Sequence, residues 1–338
     1  MLFRFLFTLR KVAFLLPLIL AFSLHGHGDS VHGTNRENNI KNRSEMKTLA
    51  RDQKETSSER IDVLIVDGFG NHDWRLTTEY LKAILESDGR FAVSVSTCPN
   101  RNVDKEAWEK WNPDFASYPV VIQICNDIND TERSWPNRVE EAFEGYVSAG
   151  GGVYMHHSAN NAFKDWDAYN LMIGLGWRGV DFGVSLIVDD KENVVVIPKG
   201  EGEKTSHGKR FDALVTRMGD HPIHEGLPKQ WIAADLEVYR YARGPAENLE
   251  VISYAREPRT GLNTPIEWVV SFGKGRVYSS TYGHVWKDSD WPAGIRCRAF
   301  QVNLVRALQW LSGEKVETSV PVSFPNVDKA SLSKPLSQ

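Results

Sequence analysis

Cysteine is scarce in this chain: Cys98, Cys125 and Cys297 are the only three in 338 residues. None falls in a CxxC or metal-knuckle spacing, and an odd number leaves at least one thiol unpaired in a monomer. Buried free thiols are the expectation. The glycines of Asp67-Gly68-Phe69-Gly70-Asn71-His72-Asp73-Trp74 do not follow the GxGxxG spacing of a dinucleotide site, so NAD binding is not expected. The serine-hydrolase elbow GxSxG is absent as well. No sustained block of Lys and Arg occurs and the formal net charge is -4, which argues against nucleic acid as a partner. No internal repeat is evident.

What is present is an ordinary globular composition, 41% hydrophobic and 25% charged, enough for one large domain or two small ones. Arg4, Arg10 and Lys11 precede the apolar run Val12 to Leu24, which has the length of a signal-peptide core and is too short to span a bilayer comfortably. Residues 1-28 therefore read as a signal peptide, with Ala21-Phe22-Ser23 or Gly26-His27-Gly28 as the cleavage triplet, and the mature protein as periplasmic or extracellular. Contact with a membrane follows only if the signal stays uncleaved. Residues 29-60 are polar and nearly free of large apolar side chains, a disordered linker by composition. Eleven Trp is a high number, and several stand in polar, loop-like contexts. Such indoles either pack under long loops or, where exposed, stack on the apolar face of a sugar ring.

Ile61 to Asp67 is a nearly continuous apolar run of the kind that forms a central parallel strand. Helical spacing follows at Tyr80, Leu81, Ile84 and Leu85, then strands at 91–96 and 119–125, a helix at 139–149 and a strand at 152–156. A short crossover helix fits 104–111. This alternation predicts an α/β fold with a mainly parallel sheet and right-handed crossovers. The second half has short strand candidates at 184–188, 194–197, 211–215, 237–241 and 249–254, and a hairpin at 266–281 around Gly273-Lys274-Gly275. The reading is one domain, residues 61-314, with a β-rich elaboration, an amphipathic helix at 298–310 and a loosely ordered tail over 315-338.

Candidate chemistry gathers at predicted strand ends, where α/β proteins place ligands. After the first strand, His72 and Asp73 suit a metal ligand, an acid/base pair or, for Asp73, a helix cap. Gly150 to Phe163, GGGVYMHHSANNAF, ends a strand in a dense set of polar groups. A folding core has little use for these, since each unpartnered buried polar group costs about 1–3 kcal/mol. His157 is the candidate base or ligand there, Ser158 a weaker candidate nucleophile, and Asn160 and Asn161 candidate sugar contacts. His284, after the last hairpin strand, could converge with His72 and His157. Three imidazoles suit zinc or another divalent metal, and equally a metal-free proton shuttle. Trp177, Arg178 and Glu237 complete the set as candidate substrate contacts, and Asp220-His221-Pro222 reads as a turn.

With those residues in view, the chain resembles the trehalose-utilisation family called ThuA-like, a branch of the class I glutamine-amidotransferase-like fold. The resemblance is carried by VDGFGNHDW at 66–74, FEGYVSAGGGVYMHHSANNAF at 143–163, YNLMIGLGWRG at 169–179, DHPIHEGLP at 220–228 and GKGRVYSSTYGH at 273–284. It implies a flavodoxin-like three-layer sandwich. It also implies that the place of the amidotransferase cysteine falls near His157 and Ser158, so a cysteine-dependent glutaminase is not expected. The expected function is that of an exported carbohydrate-active enzyme that hydrolyses, eliminates or isomerises a glycoside or 3-keto-glycoside. His157 and His284 would act as acid/base groups or ligands, with His72 and Asp73 assisting. The alternative is a noncatalytic sugar-binding protein; a small carbohydrate is the expected partner, and a homo-oligomer is left open.

Overall fold

β1 (Ile61–Asp67) is mostly apolar because it lies inside a sheet covered on both sides. In this computed structural model, which describes residues 60–100, 105–128, 134–287 and 289–336, it is followed by α1 (Trp74–Asp88), β2 (Phe91–Thr97), α2 (Lys105–Lys110), β3 (Val120–Gln123), α3 (Asn137–Ala149) and β4 (Gly152–Met155). The expected signal peptide and, Arg60 apart, the expected linker lie outside the described residues. Among the described residues no helix is long and apolar enough to cross a membrane. Ser58–Gln338 makes up one compact unit.

The pleat of β1 divides its side chains between two cores. Ile61, Val63 and Ile65 meet Leu81, Ile84 and Leu85 of α1, on the same side as Leu304 and Leu308 near the end of the chain. Leu64 and Val66 share the other core with Val139, Phe143 and Val147 of α3. Helix, sheet and helix thus form three layers. The amphipathic spacing of α1 and α3 exists to serve these two faces, each fully buried Leu or Phe contributing roughly 1.5–3 kcal/mol.

Beyond β4 comes α4 (Asp167–Ile173), which the spacing does not predict. The elaboration then supplies β5 (Val184–Val188), β6 (Val194–Ile197), β7 (Ser206–His207), β8 (Phe211–Arg217), β9 (Gln230–Leu236), β10 (Tyr239–Arg240), β11 (Arg243–Gly244) and β12 (Leu249–Arg256). The hairpin β13 (Asn263–Phe272) and β14 (Gly275–Ser280) returns the chain to the sheet, and α5 (Ala293–Arg296) and α6 (Arg298–Ser312) follow. The main sheet runs β2-β1-β3-β4-β14-β13-β12-β8-β9. Its first five strands are parallel, and the rest pair antiparallel.

Two expectations are corrected. The strand expected at 237–241 lies earlier, as β9: Trp231, Ala233, Ala234 and Leu236 are buried there, and left-handed backbone at Asp235 and Tyr241 (φ 51° and 50°) leaves only the two-residue β10 beyond. The tail after Gly313 is not loose. Asn326 accepts the Ile232 amide, Ser333 exchanges hydrogen bonds with Arg296, and Phe324 packs on Trp231.

A buried polar hub joins the hairpin to the rest. Glu267 of β13 is fully buried and accepts from Ser253 Oγ (2.5 Å), Tyr278 OH (2.6 Å) and Asn303 Nδ2 (2.9 Å). The His224 imidazole, in the 3-10 turn Pro222–His224 before β9, lies 3.1 Å from the same carboxylate, off the hydrogen-bonding angle. That buried role is the one the DHPIHEGLP segment plays.

Candidate functional site

His72, His157 and His284 sit at the carboxyl ends of β1, β4 and β14, strands that run parallel in one sheet, so their loops emerge at the same edge. The three rings form a triangle. Their centroids are 5.1 Å apart for His72–His157, 4.7 Å for His72–His284 and 5.1 Å for His157–His284, each pair edge to face. One ring nitrogen from each lies within 4.8 Å of the others.

Local backbone aims each ring. β4 ends at Met155, and after His156 the chain turns through His157 in left-handed backbone (φ 44°), a strained conformation of the kind found at functional turns. His156 itself packs inward, its Nε2 3.1 Å from the carbonyl oxygen of Gly283. Gly283 must be glycine: its φ is 81°, and a Cβ there would stand 2.5 Å from His156 Cε1. This close approach of the two loops brings His284 beside His157.

Hydrogen bonds select the free nitrogens. His157 Nδ1 lies 3.0 Å from the carbonyl oxygen of Thr281, which can only accept, so the proton is on Nδ1 and the lone pair on Nε2, which is buried without a hydrogen-bond partner. His72 Nδ1 lies 2.8 Å from Asn71 Oδ1, an oxygen that also accepts from Asn126 Nδ2 at 2.9 Å, and this leaves Nε2 as the acceptor. His284 Nε2 has two neighbours, Arg210 Nη1 at 3.2 Å and Glu237 Oε2 at 3.7 Å, and its Nδ1 is buried without a partner. Arg210 Nη1 can only donate, so the 3.2 Å contact places the lone pair of His284 on Nε2 and the proton on Nδ1.

All three imidazoles are held neutral. Burial pushes His72 down to about 4, with Arg210 and His207 adding to the effect. Burial, then His72 and Arg210, push His284 down to about 3. His157 lies well below its ordinary range through burial and the neighbouring His284 and His72. Three neutral imidazoles with one nitrogen of each within 4.8 Å of the others form a candidate ligand set for a divalent cation. Against the His72 and His157 side lies a cavity of about 10 Å³, bounded also by His156 and Ser158 and large enough for one water.

Glu237 meets this centre from the elaboration, just beyond β9. Its carboxyl is buried, and burial raises its pKa against the pull of His207 and Arg210. Its Oε1 is 3.6 Å from His207 Nε2, and its Oε2 lacks a hydrogen-bond partner. Asp235 holds Arg210 through a 2.9 Å contact to Nε. Trp177 packs on His207 and Tyr239, with centroids at 5.4 and 5.7 Å, and Asn161 Nδ2 donates to Tyr239 OH at 3.4 Å. Asn160 is fully buried with neither side-chain polar atom partnered.

Other expected residues serve the scaffold. Asp73, expected to assist the histidines, caps α1: its Oδ1 accepts from Leu76 N at 3.1 Å. Arg178, expected at the substrate, is buried and donates to the carbonyls of Asn161 (2.8 Å), Ala162 (2.6 Å) and Trp177 (3.0 Å) and to Asn170 Oδ1. It braces the loop that carries His157. Among the described residues no hydrogen bond links Ser158 to a histidine, and the nucleophile reading gains no partner. The three cysteines are buried free thiols, none of them in the triangle.

Arg210, His207 and Asn126 were not singled out from the sequence. Arg210 reaches His284 across 74 residues, and no local pattern marks such a contact. Asn71 had a signal in its adjacency to His72.

The chain matches the family model ThuA, trehalose utilisation, over residues 62–311. Among solved structures it is similar to a ThuA-like protein from Parabacteroides merdae, with 29% identity and a TM-score of 0.76, covering 83% of this chain and 100% of that one. Weaker matches are a GMP synthase component from Thermoplasma acidophilum (9% identity, TM-score 0.36, 75% of this chain and 95% of that one) and the glutaminase domain of Trypanosoma brucei CTPS with bound acivicin (6%, 0.40, 79% and 98%). No curated protein matches the chain significantly. Its three-layer α/β fold and its match over residues 62–311 make this chain a member of the ThuA family, linked to trehalose utilisation.

Proposed function

We propose that the protein is an exported carbohydrate-active enzyme whose His72, His157 and His284 hold a divalent metal, zinc being the best fit, and whose substrate is a glycoside or 3-keto-glycoside. The observation that carries this reading is the triangle of neutral imidazoles with nitrogens within 4.8 Å of one another, the His157 Nε2 among them buried and unpartnered. A structural role would leave such nitrogens hydrogen-bonded. A divalent cation held there would supply Lewis acidity towards a carbonyl or hydroxyl oxygen of the sugar.

The chain's own groups divide the remaining work. Thr281 and Asn71 fix the tautomers of His157 and His72, and the Glu237 carboxyl stands 3.7 Å from His284 Nε2, the nitrogen that faces Arg210. Glu237, its carboxyl raised by burial, stands where it can receive or return a proton at a sugar hydroxyl. Arg210, gripped by Asp235, places a positive charge beside His284 where an oxyanion would be favoured. The family's link to trehalose utilisation supports a sugar as the substrate. Export rests on Arg4, Arg10, Lys11 and the apolar run after them.

The test is elemental analysis of zinc-reconstituted protein and of His157→Ala, followed by assay against a panel of glycosides and 3-keto-glycosides. Stoichiometric zinc lost in His157→Ala, with turnover by the wild type, is the expected result. Zinc binding that His157→Ala does not change overturns the metal centre. Sugar binding without turnover makes the protein a noncatalytic sugar binder instead.

A further inference from the structure

We infer that Trp286 is the platform on which the sugar stacks at the histidine centre. The inference rests on the carbohydrate reading above and assigns a specificity-determining residue within it. Of the eleven Trp in the chain, Trp286 is the one that is exposed, with 48% of its surface open. The others lie in one of the two cores or pack against them: Trp108, Trp111, Trp135 and Trp166 share an aromatic cluster, and Trp291 rests on Tyr80. Leaving a large apolar side chain open forgoes the stability its burial would contribute. Here the open indole is also held rigidly at the site.

Trp286 stacks nearly parallel on His284, with centroids 6.0 Å apart and planes at 20°, and meets His72 edge to face at 5.3 Å. Two of the three converging imidazoles therefore support the indole. A pyranose has an apolar C–H face and a rim of hydroxyls, and binding sites for such ligands pair an aromatic surface with a few placed polar groups. The polar partner is within reach: Glu237 Oε2, buried without a hydrogen-bond partner, lies 3.7 Å from the same His284 on which Trp286 rests. A sugar seated on the indole presents its hydroxyl rim towards that carboxylate and the histidine centre. The two-residue spacing from His284 to Trp286 ties the platform to the ligand set, because both leave β14 on one short segment.

Calorimetric titration of the zinc-loaded protein with trehalose tests this, using wild type, Trp286→Ala and Trp286→Phe, with zinc affinity measured in parallel. Trp286→Ala should weaken trehalose binding by about tenfold or more, and Trp286→Phe by no more than about threefold, while zinc affinity stays within about twofold in both. Unchanged trehalose binding in Trp286→Ala overturns the platform. So does loss of zinc in that variant, which would make the indole a support for the imidazoles, and so does a wild type that binds no trehalose. Failure of the enzymatic reading is separable: a wild type that binds trehalose through Trp286 but turns over no glycoside keeps the platform and loses the catalysis.

Discussion

The Nδ1 of His157 lies 3.0 Å from the carbonyl oxygen of Thr281, so the backbone of one parallel strand determines which nitrogen its neighbour's histidine turns towards the other two imidazoles. The contact uses the Thr281 backbone and not its hydroxyl, which is buried without a partner. Thr281→Val should therefore leave zinc affinity within about twofold and leave stability equal or slightly higher, because an unpartnered buried hydroxyl is removed. Isothermal titration with zinc and a urea melt check both. A large loss of zinc would move the role to the side chain.

Glu237→Gln keeps the shape of the side chain and removes the charge beside His284. Zinc affinity should fall by about 10-fold, because a carboxylate beside a ligand histidine is lost. Competition with a fluorescent chelator reads this directly, and circular dichroism should show an unchanged fold.

Arg178→Met should act on stability first. The substitution strips donors from the carbonyls of Asn161 and Ala162 and from Asn170 Oδ1, all at a buried guanidinium. A loss of about 3 kcal/mol in urea unfolding is expected, together with faster amide exchange across residues 157–163. A variant as stable as the wild type would mean that the loop holds without its brace.

Acid should weaken the fold through Glu267. Burial pushes this carboxyl up, but the adjacent His224 imidazole and the hydrogen bonds from Ser253 and Tyr278 outweigh it, and the net shift is downward from 4.5. A carboxyl depressed in the folded state contributes stability that is fully present above its unfolded value and is lost as pH falls through the folded one. The melting temperature of the wild type should thus hold above pH 4.5 and drop below it. Glu267→Gln should be less stable at neutral pH, and the gap should narrow in acid.

Much of the parallel half was legible in the sequence because it obeys local rules. Ile61 to Asp67 is apolar apart from Asp62 and Asp67, and α1 and α3 carry their buried residues at helical spacing. The elaboration was less legible. β9 was missed because Asp235 interrupts an otherwise buried run, and β10 and β11 are two residues each, too short to carry a period. The histidine triangle could be suspected because each member ends a strand. What could not be read was the division between contact and brace: Arg178 and Arg210 are both basic and polar in context, yet one is locked into carbonyls and the other faces His284. Only the distant partner distinguishes them.

The position of β14 has a consequence for how the protein is made. Residues 275–280 wedge between β4 and β13 at the centre of the sheet, although they are nearly the last strand to be synthesised. Until they emerge, β4 presents an open edge of unpaired backbone N–H and C=O groups and the His156 turn has no Gly283 to close against. A nascent chain halted before that point holds two histidines of the triangle on an unfinished sheet, and chaperone demand should peak in that interval.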